Sequence, residues 1–411
     1  MAVIKPFKAV RPTKDKIAHV TSRSYLAYAQ EELEATLRYN PFSFLHIINP
    51  GYKFSKEVSG EERYGLIRNR YLEFFEEHIL TKDDTDGFYI YQIEKNNLKC
   101  CGLIALASVQ DYRDNVIKKH EETMSPREQL FAKYLKNVGF NAEPVLTTYT
   151  DKIEIQDIID FEKQKEPEYS FTTSDWIKHT LWTVTKKESV QGLMREFTPI
   201  TSLYIADGHH RSASSEILAS NFQKGNTQHT GKEPYNYFMC YLLPESEIRI
   251  HEFNRMVKDL NGLTKAEFLI KLDAFFRIEK KGDVLYKPKK KHHFSMYLDG
   301  AFYSLILREK AYGFTDLLSR LDTHILYKTI LDPILGIKDL RSNKRIHYGC
   351  GKHNVIRMKD EIDLGKFAVG FSLFPLTMDE IKAIADAGSV MPPKSTYIEP
   401  KLRSGLTIYE F

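Results

Sequence analysis

The order of hydrophobic patterns predicts a mixed fold of α/β and α+β character. Strand-like and helix-like periods alternate along the whole chain, which excludes an all-helical or an all-β protein. No internal repeat or low-complexity linker interrupts them. Composition agrees: 411 residues, 42% apolar and 28% charged, are ordinary proportions for a globular chain with a sizeable core.

Residues 30–39 read as a helix that stops before Asn40-Pro41, because proline disfavours helical backbone in the residue before it. Ser43-Phe44-Leu45-His46-Ile47-Ile48 reads as a buried strand. Ser59 and Glu62 have capping-box spacing, and the helix they open carries Tyr64, Leu66, Ile67, Tyr71, Phe74 and Phe75 at helical intervals. Two strands, 87–94 and 98–109, meet at Asn96-Asn97. A second box, Ser125 to Glu128, opens a helix over 126–137 with Pro126 in its first turn and Gly139 at its end. A strand from Pro144 to Tyr149 follows, then a helix-like stretch (154–163) and a strand-like one (176–184). Trp176 and Trp182 are expected in the core.

The short strand Ser202 to Ala206 runs into Asp207-Gly208-His209-His210-Arg211 and a helix reaching Phe222. Beyond it, strands are expected at 235–243, 277–282, 293–307 and 366–373, and helices at 264–276, 314–331 and 377–387. The third of these strand regions turns at Asp299-Gly300, a hairpin signal. Motif position, rather than any linker, divides the chain into an N-terminal α/β region (1–100), a central core (101–230) and a C-terminal α/β region (231–411).

Charge and cysteine content narrow the partners. With 59 basic and 55 acidic residues the net charge is only +4, so no nucleic-acid partner is expected. The densest basic run, Lys287 to His293, reads as a solvated strand end. No apolar run approaches the ~18 residues of a membrane helix, so no membrane partner is expected. Met1 to Lys8 lacks a signal-like apolar stretch, and a cytoplasmic location is expected. Cys100, Cys101, Cys240 and Cys350 include no Cys-x-x-Cys pair, which argues against a zinc ribbon and for reduced thiols. Cys100 and Cys101 lie in a strand, so one should face inward and the other outward.

The pattern strand, Asp-Gly-His-His-Arg, helix carries the most chemistry. Gly208 permits a tight turn and close backbone approach. The following helix N-terminus offers N–H groups and the positive end of a dipole to an anion. Arg211 adds a forked cation suited to phosphate oxygens. His209 and His210 add donors or a base, and Asp207 can orient a histidine or hold a metal. A helix start with incidental polar residues is the alternative. A second patch, Lys118-Lys119-His120-Glu121-Glu122-Thr123, precedes the Ser125 helix; the alternative there is a solvated loop. Arg255, at a strand end, either reaches an anion or is a surface arginine. Lys394, in a Pro-rich tail with Lys401, serves either packing or a phosphate. Asp322 and His324 fall in an apolar helix, where a satisfied, partly buried histidine is expected.

Taken whole, the chain resembles the DUF1015 family, proteins of unassigned function placed with the ParB/sulfiredoxin-like superfamily. The residues that carry the resemblance are Lys5-Pro6-Phe7 with Arg11-Pro12, Asn40-Pro41 with Ser43 to His46, Asp111-Tyr112, Lys119-His120-Glu121-x-Thr123, Ala206 to Arg211, and the tail Met391 to Tyr397 with Pro400-Lys401 and Ser404-Gly405-Leu406. The resemblance implies a ParB/sulfiredoxin-like core with N- and C-terminal α/β extensions. Sulfiredoxins carry a nucleophilic cysteine where His209 stands here, which argues against sulfinic-acid reduction. Partition ParB proteins bind CTP through a related element and carry a helix-turn-helix, which is not evident here.

The ParB-like free-serine kinases resemble this chain best locally. That resemblance implies a kinase: a phosphotransferase using ATP or ADP with Mg²⁺ on a small hydroxyl metabolite, serine among the candidates. It implies Glu121, with His120 and Asp207, as catalytic residues, and Gly208, His209, His210 and Arg211 as the nucleotide seat. Asp207 would also serve as a metal ligand; Arg255 and Lys394 are substrate-contact candidates from their own positions, apart from that resemblance. The alternative is a nucleotide-binding regulatory or sensor protein without turnover. The expected partners are nucleotide and a small molecule, with a homo-oligomer left open.

Overall fold

Leu98–Ser108 is buried along nearly its whole length, as expected of a central strand covered on both faces. It is the spine of a nine-stranded mixed sheet. From one edge the order is Ile117–Lys118, Leu203–Asp207, Val145–Tyr149, Tyr237–Pro244, Leu98–Ser108, Phe88–Lys95, Lys178–Val184 and Tyr169–Thr172, and Ile4–Lys5 also pairs with the spine. Leu203–Asp207 runs parallel to Ile117–Lys118 and antiparallel to Val145–Tyr149, which in turn runs parallel to Tyr237–Pro244. The computed structural model describes residues 1–96, 98–349 and 354–411, so Asn97 of the expected turn and Cys350 lie outside the described residues.

This sheet belongs to the first of two units, formed by Met1–Lys119, Thr123–Ile248 and Pro400–Phe411. Its main core combines Phe88, Ile90, Leu103, Ala105, Val145, Leu203, Ile205 and Leu242 with Ile155, Ile159, Leu193 and Phe197 from the helices Ile153–Glu162 and Lys187–Phe197. Helix Ser125–Val138 ends at Gly139, whose φ of 78° places it in the left-handed region while its N–H bonds Leu135 O.

The second unit is Arg249–Glu399 with the short piece His120–Glu122. Its six-stranded sheet has the order Phe276–Gly282, Ala301–Leu307, His293–Leu298, Val369–Ser372, Asn254–Val257, Ile346–Gly349, and every pairing is antiparallel. One face packs on Phe268, Leu272, Ile325, Leu326, Ile330 and Leu331. Helices Lys265–Asp273 and Met378–Asp386 each start with a full capping box, Thr264 with Glu267 and Thr377 with Glu380.

Several expectations need correction. Ser43 to Ile48 is not a strand: Leu45–Ile48 is one helical turn, with Ser43 Oγ accepting from Leu45 N. A run of so few apolar residues cannot distinguish a strand from a buried turn. Neither Ser59 nor Ser125 caps through its side chain; Met124 holds the cap position and Ser125 is already helical. The helix expected over 314–331 is broken into a turn at Leu318–Arg320, the helix Asp322–Leu326 and a wide turn at Tyr327–Leu331, where Asp332 N bonds Tyr327 O. Ser319 Oγ meets the N–H groups of Thr315 and Asp316 and so stops an earlier start. Trp182 is buried, but Trp176 is 83% exposed with φ 59°, at the turn between Tyr169–Thr172 and Lys178–Val184. Cys100 and Cys101 are both buried, with Cys101 in the main core, so the outward position is covered rather than exposed.

Candidate functional site

In the first unit, Leu203–Asp207 slips register against Val145–Tyr149 between Ile205 and Asp207. Such a bulge re-aims the strand end and ends the pairing. Gly208 follows with φ 104°, a conformation that side chains resist, and is the N-cap of helix His209–Gly225. Its carbonyl accepts from Arg211 N and Ser212 N, which closes the first turn. Ser214 and Ser215 bond back to the carbonyls of His210 and Arg211, so their hydroxyls serve the helix itself.

Arg211 folds back over this turn. Nη1 meets Pro144 O at 3.0 Å and Glu143 Oε1 at 2.5 Å, and Nη2 meets Asp207 Oδ2 at 2.9 Å. Lys401 Nζ meets the other Asp207 oxygen at 3.0 Å. Burial pushes the Asp207 carboxyl up, but Lys401 and Arg211 outweigh it and hold the group below the usual carboxylate range. Two cations therefore face two carboxylates at the mouth of a helix N-terminus. The metal role expected of Asp207 would require displacing one of its cations. Among the described residues no group of three or more His, Cys, Asp or Glu converges as a metal site. His209 is buried and His210 partly so. An open groove of about 510 Å³, between Ser125–Val138 and the flank of His209–Gly225, contains none of the motif residues in its wall.

The other candidates fall in the second unit. His120 is buried, and its carbonyl accepts from Met391 N at 2.9 Å. Glu121 forms a parallel bridge with Met391. Glu122 is exposed and paired with Arg341 at 2.7 Å. Arg255 and Lys394, 139 positions apart, are joined: Arg255 Nη2 donates to Lys394 O at 3.1 Å. Arg255 is 1% exposed, so the surface alternative for it does not hold. Burial also holds His324 below its ordinary range, with Lys328 adding to the effect and Asp316 opposing it.

The sequence reading missed Glu143 and the role of Lys401. Glu143 stands just before Val145–Tyr149, the strand next to the motif strand, and that adjacency was the available signal. Lys401 comes from the C-terminal segment, whose return to the first unit no local pattern announces.

The chain belongs to the DUF1015 family, described as a protein of unknown function; the family model matches residues 4–324, more than half of the chain. No curated protein matches it. Among solved structures it is similar to a free serine kinase in complex with AMP, with a TM-score of 0.39 and 11% identity over 73% of this chain and 88% of that one. It is similar to a conserved hypothetical protein from Pyrococcus furiosus, with a TM-score of 0.35 and 12% identity over 72% and 90%. It is also similar to SbnI with a C-terminal truncation from Staphylococcus aureus, with a TM-score of 0.37 and 12% identity over 73% and 84%. These likenesses are low, and no residue role passes across them.

Proposed function

We propose that the protein is a nucleotide-dependent phosphotransferase acting on a small hydroxyl metabolite, with free serine the first acceptor to try. The observation that carries this reading is the Gly208 turn: a left-handed glycine at a strand end, opening a seventeen-residue helix, with Arg211 and Lys401 beside it. A phosphate at this turn would meet helix N–H groups and the dipole's positive end. It would also draw Arg211 and Lys401 from the carboxylates they now bond.

In the reaction, a bond forms between the acceptor oxygen and the transferred phosphorus. The bond from that phosphorus to the departing nucleotide breaks, and the hydroxyl proton passes to a carboxylate. Glu121 is the carboxylate we propose, with Glu122 second and His120 beside it, from the sequence pattern. Mg²⁺, when it arrives with the nucleotide, neutralises phosphate charge. The test is a mass-spectrometric screen of the purified protein with ATP or ADP, Mg²⁺ and pooled metabolites that include serine. Consumption of nucleotide only when an acceptor is present supports the proposal.

A nucleotide sensor without turnover is the second reading. The saturated ion pairs of Asp207 and Arg211 favour it, since an anion that rearranges them would act as a switch. Nucleotide binding with no acceptor in the pool would select it.

A further inference from the structure

Arg255 is a buried cation without a counter-ion among the described residues. It stands in the strand Asn254–Val257 at 1% exposure. Nη1 donates to Phe253 O at 2.6 Å and Nη2 to Lys394 O at 3.1 Å, and the Tyr348 ring centre lies 5.7 Å from Cζ. Nε is buried and has no partner among the described residues. A guanidinium carries five N–H donors, so among the described residues these two bonds leave three unused. No carboxylate among the described residues pairs with it; both of its acceptors are backbone carbonyls. Carbonyls are dipoles, and a buried charge held only by dipoles is strongly disfavoured. Burial pulls the guanidinium down to about 10, with Tyr348 partly opposing, so it remains charged at neutral pH.

Lys394, whose carbonyl Arg255 bonds, carries a second cation. Lys394 Nζ lies 5.5 Å from the ring centre of Phe253, the residue whose carbonyl Arg255 bonds. Lys394 makes no ion pair among the described residues. The segment that carries it is fixed from both sides: Met391 N bonds His120 O, and Ser395 Oγ bonds Pro392 O at 2.7 Å and Thr323 Oγ1 at 3.3 Å. Lys394 itself has φ 58°, which is unusual for a residue with a Cβ.

We propose that Arg255 and Lys394 form a binding site for a small oxyanion, the carboxylate or phosphate group of a metabolite. The anion takes the guanidinium edge that includes Nε and replaces the Lys394 carbonyl as the acceptor for Nη2. The Lys394 ammonium supplies the second positive charge. The site lies within the second unit and stands whether or not the first unit binds nucleotide.

The test is thermal unfolding of the full chain in inorganic phosphate, or in acetate, against chloride at equal ionic strength. Wild-type protein should melt higher in phosphate or acetate, and the anion that acts names the group bound. Arg255→Met should abolish the shift, while its anion-free melting point should be no lower than wild type, because the methionine needs no counter-ion. Lys394→Gln, an exposed change that keeps the protein testable if Arg255→Met does not fold, should weaken the apparent affinity at least tenfold. The proposal is overturned if wild type shows no shift beyond chloride, or if the shift persists unchanged in both Arg255→Met and Lys394→Gln.

Discussion

The guanidinium of Arg211 covers Gly208 so closely that a Cβ built on that glycine would lie 2.8 Å from Arg211 Nε and 2.9 Å from Nη2. The two residues act as one device. The glycine supplies a backbone turn that only it adopts without strain, and its missing side chain leaves the space in which the arginine reaches Asp207, Glu143 and Pro144 O. Strand, turn and helix are thereby tied to the neighbouring strand by one side chain.

Gly208→Ala should therefore do two things. A φ of 104° is costly for alanine, by about 1–3 kcal/mol. The added methyl must also displace Arg211. We expect a lower urea midpoint with an unchanged slope and weaker nucleotide binding by calorimetry. A midpoint equal to wild type would mean that neither constraint operates.

Arg211→Ala should weaken nucleotide binding by about 1.5–3 kcal/mol, the scale of a hydrogen bond to a charged group. It also leaves Glu143 and Asp207 facing each other with one cation fewer, so stability should fall as well. Arg211→Lys should restore charge without the fork that reaches three acceptors, and recovery should be partial. Calorimetry on folded variants separates the two effects. Unchanged affinity in both would place the phosphates elsewhere.

Glu121→Gln keeps shape and removes the proposed base. Turnover on an identified acceptor should drop by about 10²–10⁴ while nucleotide affinity stays near wild type. Glu122→Gln should have a smaller effect, since that carboxylate is exposed and paired with Arg341. Wild-type turnover in both variants would remove the base assignment.

What the sequence made legible was mostly local. The strand at 203–207, its glycine and the following helix were readable because alternation, a turn residue and helical spacing meet there without ambiguity. Helices 264–276 and 377–387 were readable from period alone. The failures have physical causes. The apolar Leu45, Ile47 and Ile48 fit a strand or a turn equally well, and only packing decided. Trp176 is apolar in type but sits at a hairpin tip with positive φ, and no composition rule gives that. The burial of Arg255 depends on Lys394, far along the chain, so a strand-end arginine could not be distinguished from a surface one. Ion pairs such as Lys401 with Asp207 are equally non-local.

Asp322 offers a pH test that is independent of any ligand. Its carboxyl is buried in the second unit, and Oδ1 accepts the His292 N–H at 2.9 Å. Burial pushes its pKa up to about 7, with Glu380 adding to the rise; the His292 and Phe374 backbone groups and Lys291 oppose it. Lys291 is itself paired with Glu380 at 2.6 Å, which limits its help. An unfolded aspartate titrates near 3.9. Between about pH 4 and 7 the folded chain holds a proton that the unfolded chain has lost, so wild-type stability should fall as pH rises through that window and level off above it. Asp322→Asn keeps the shape and an oxygen for His292 but never ionises. Its advantage over wild type should be near zero below about pH 4 and grow to a plateau above about pH 7, with a ceiling of about 4 kcal/mol. Urea unfolding of both proteins at pH 4, 6 and 8 measures the difference. A constant difference across the three pH values would show that the buried carboxyl ionises as readily in the folded chain as in the unfolded one.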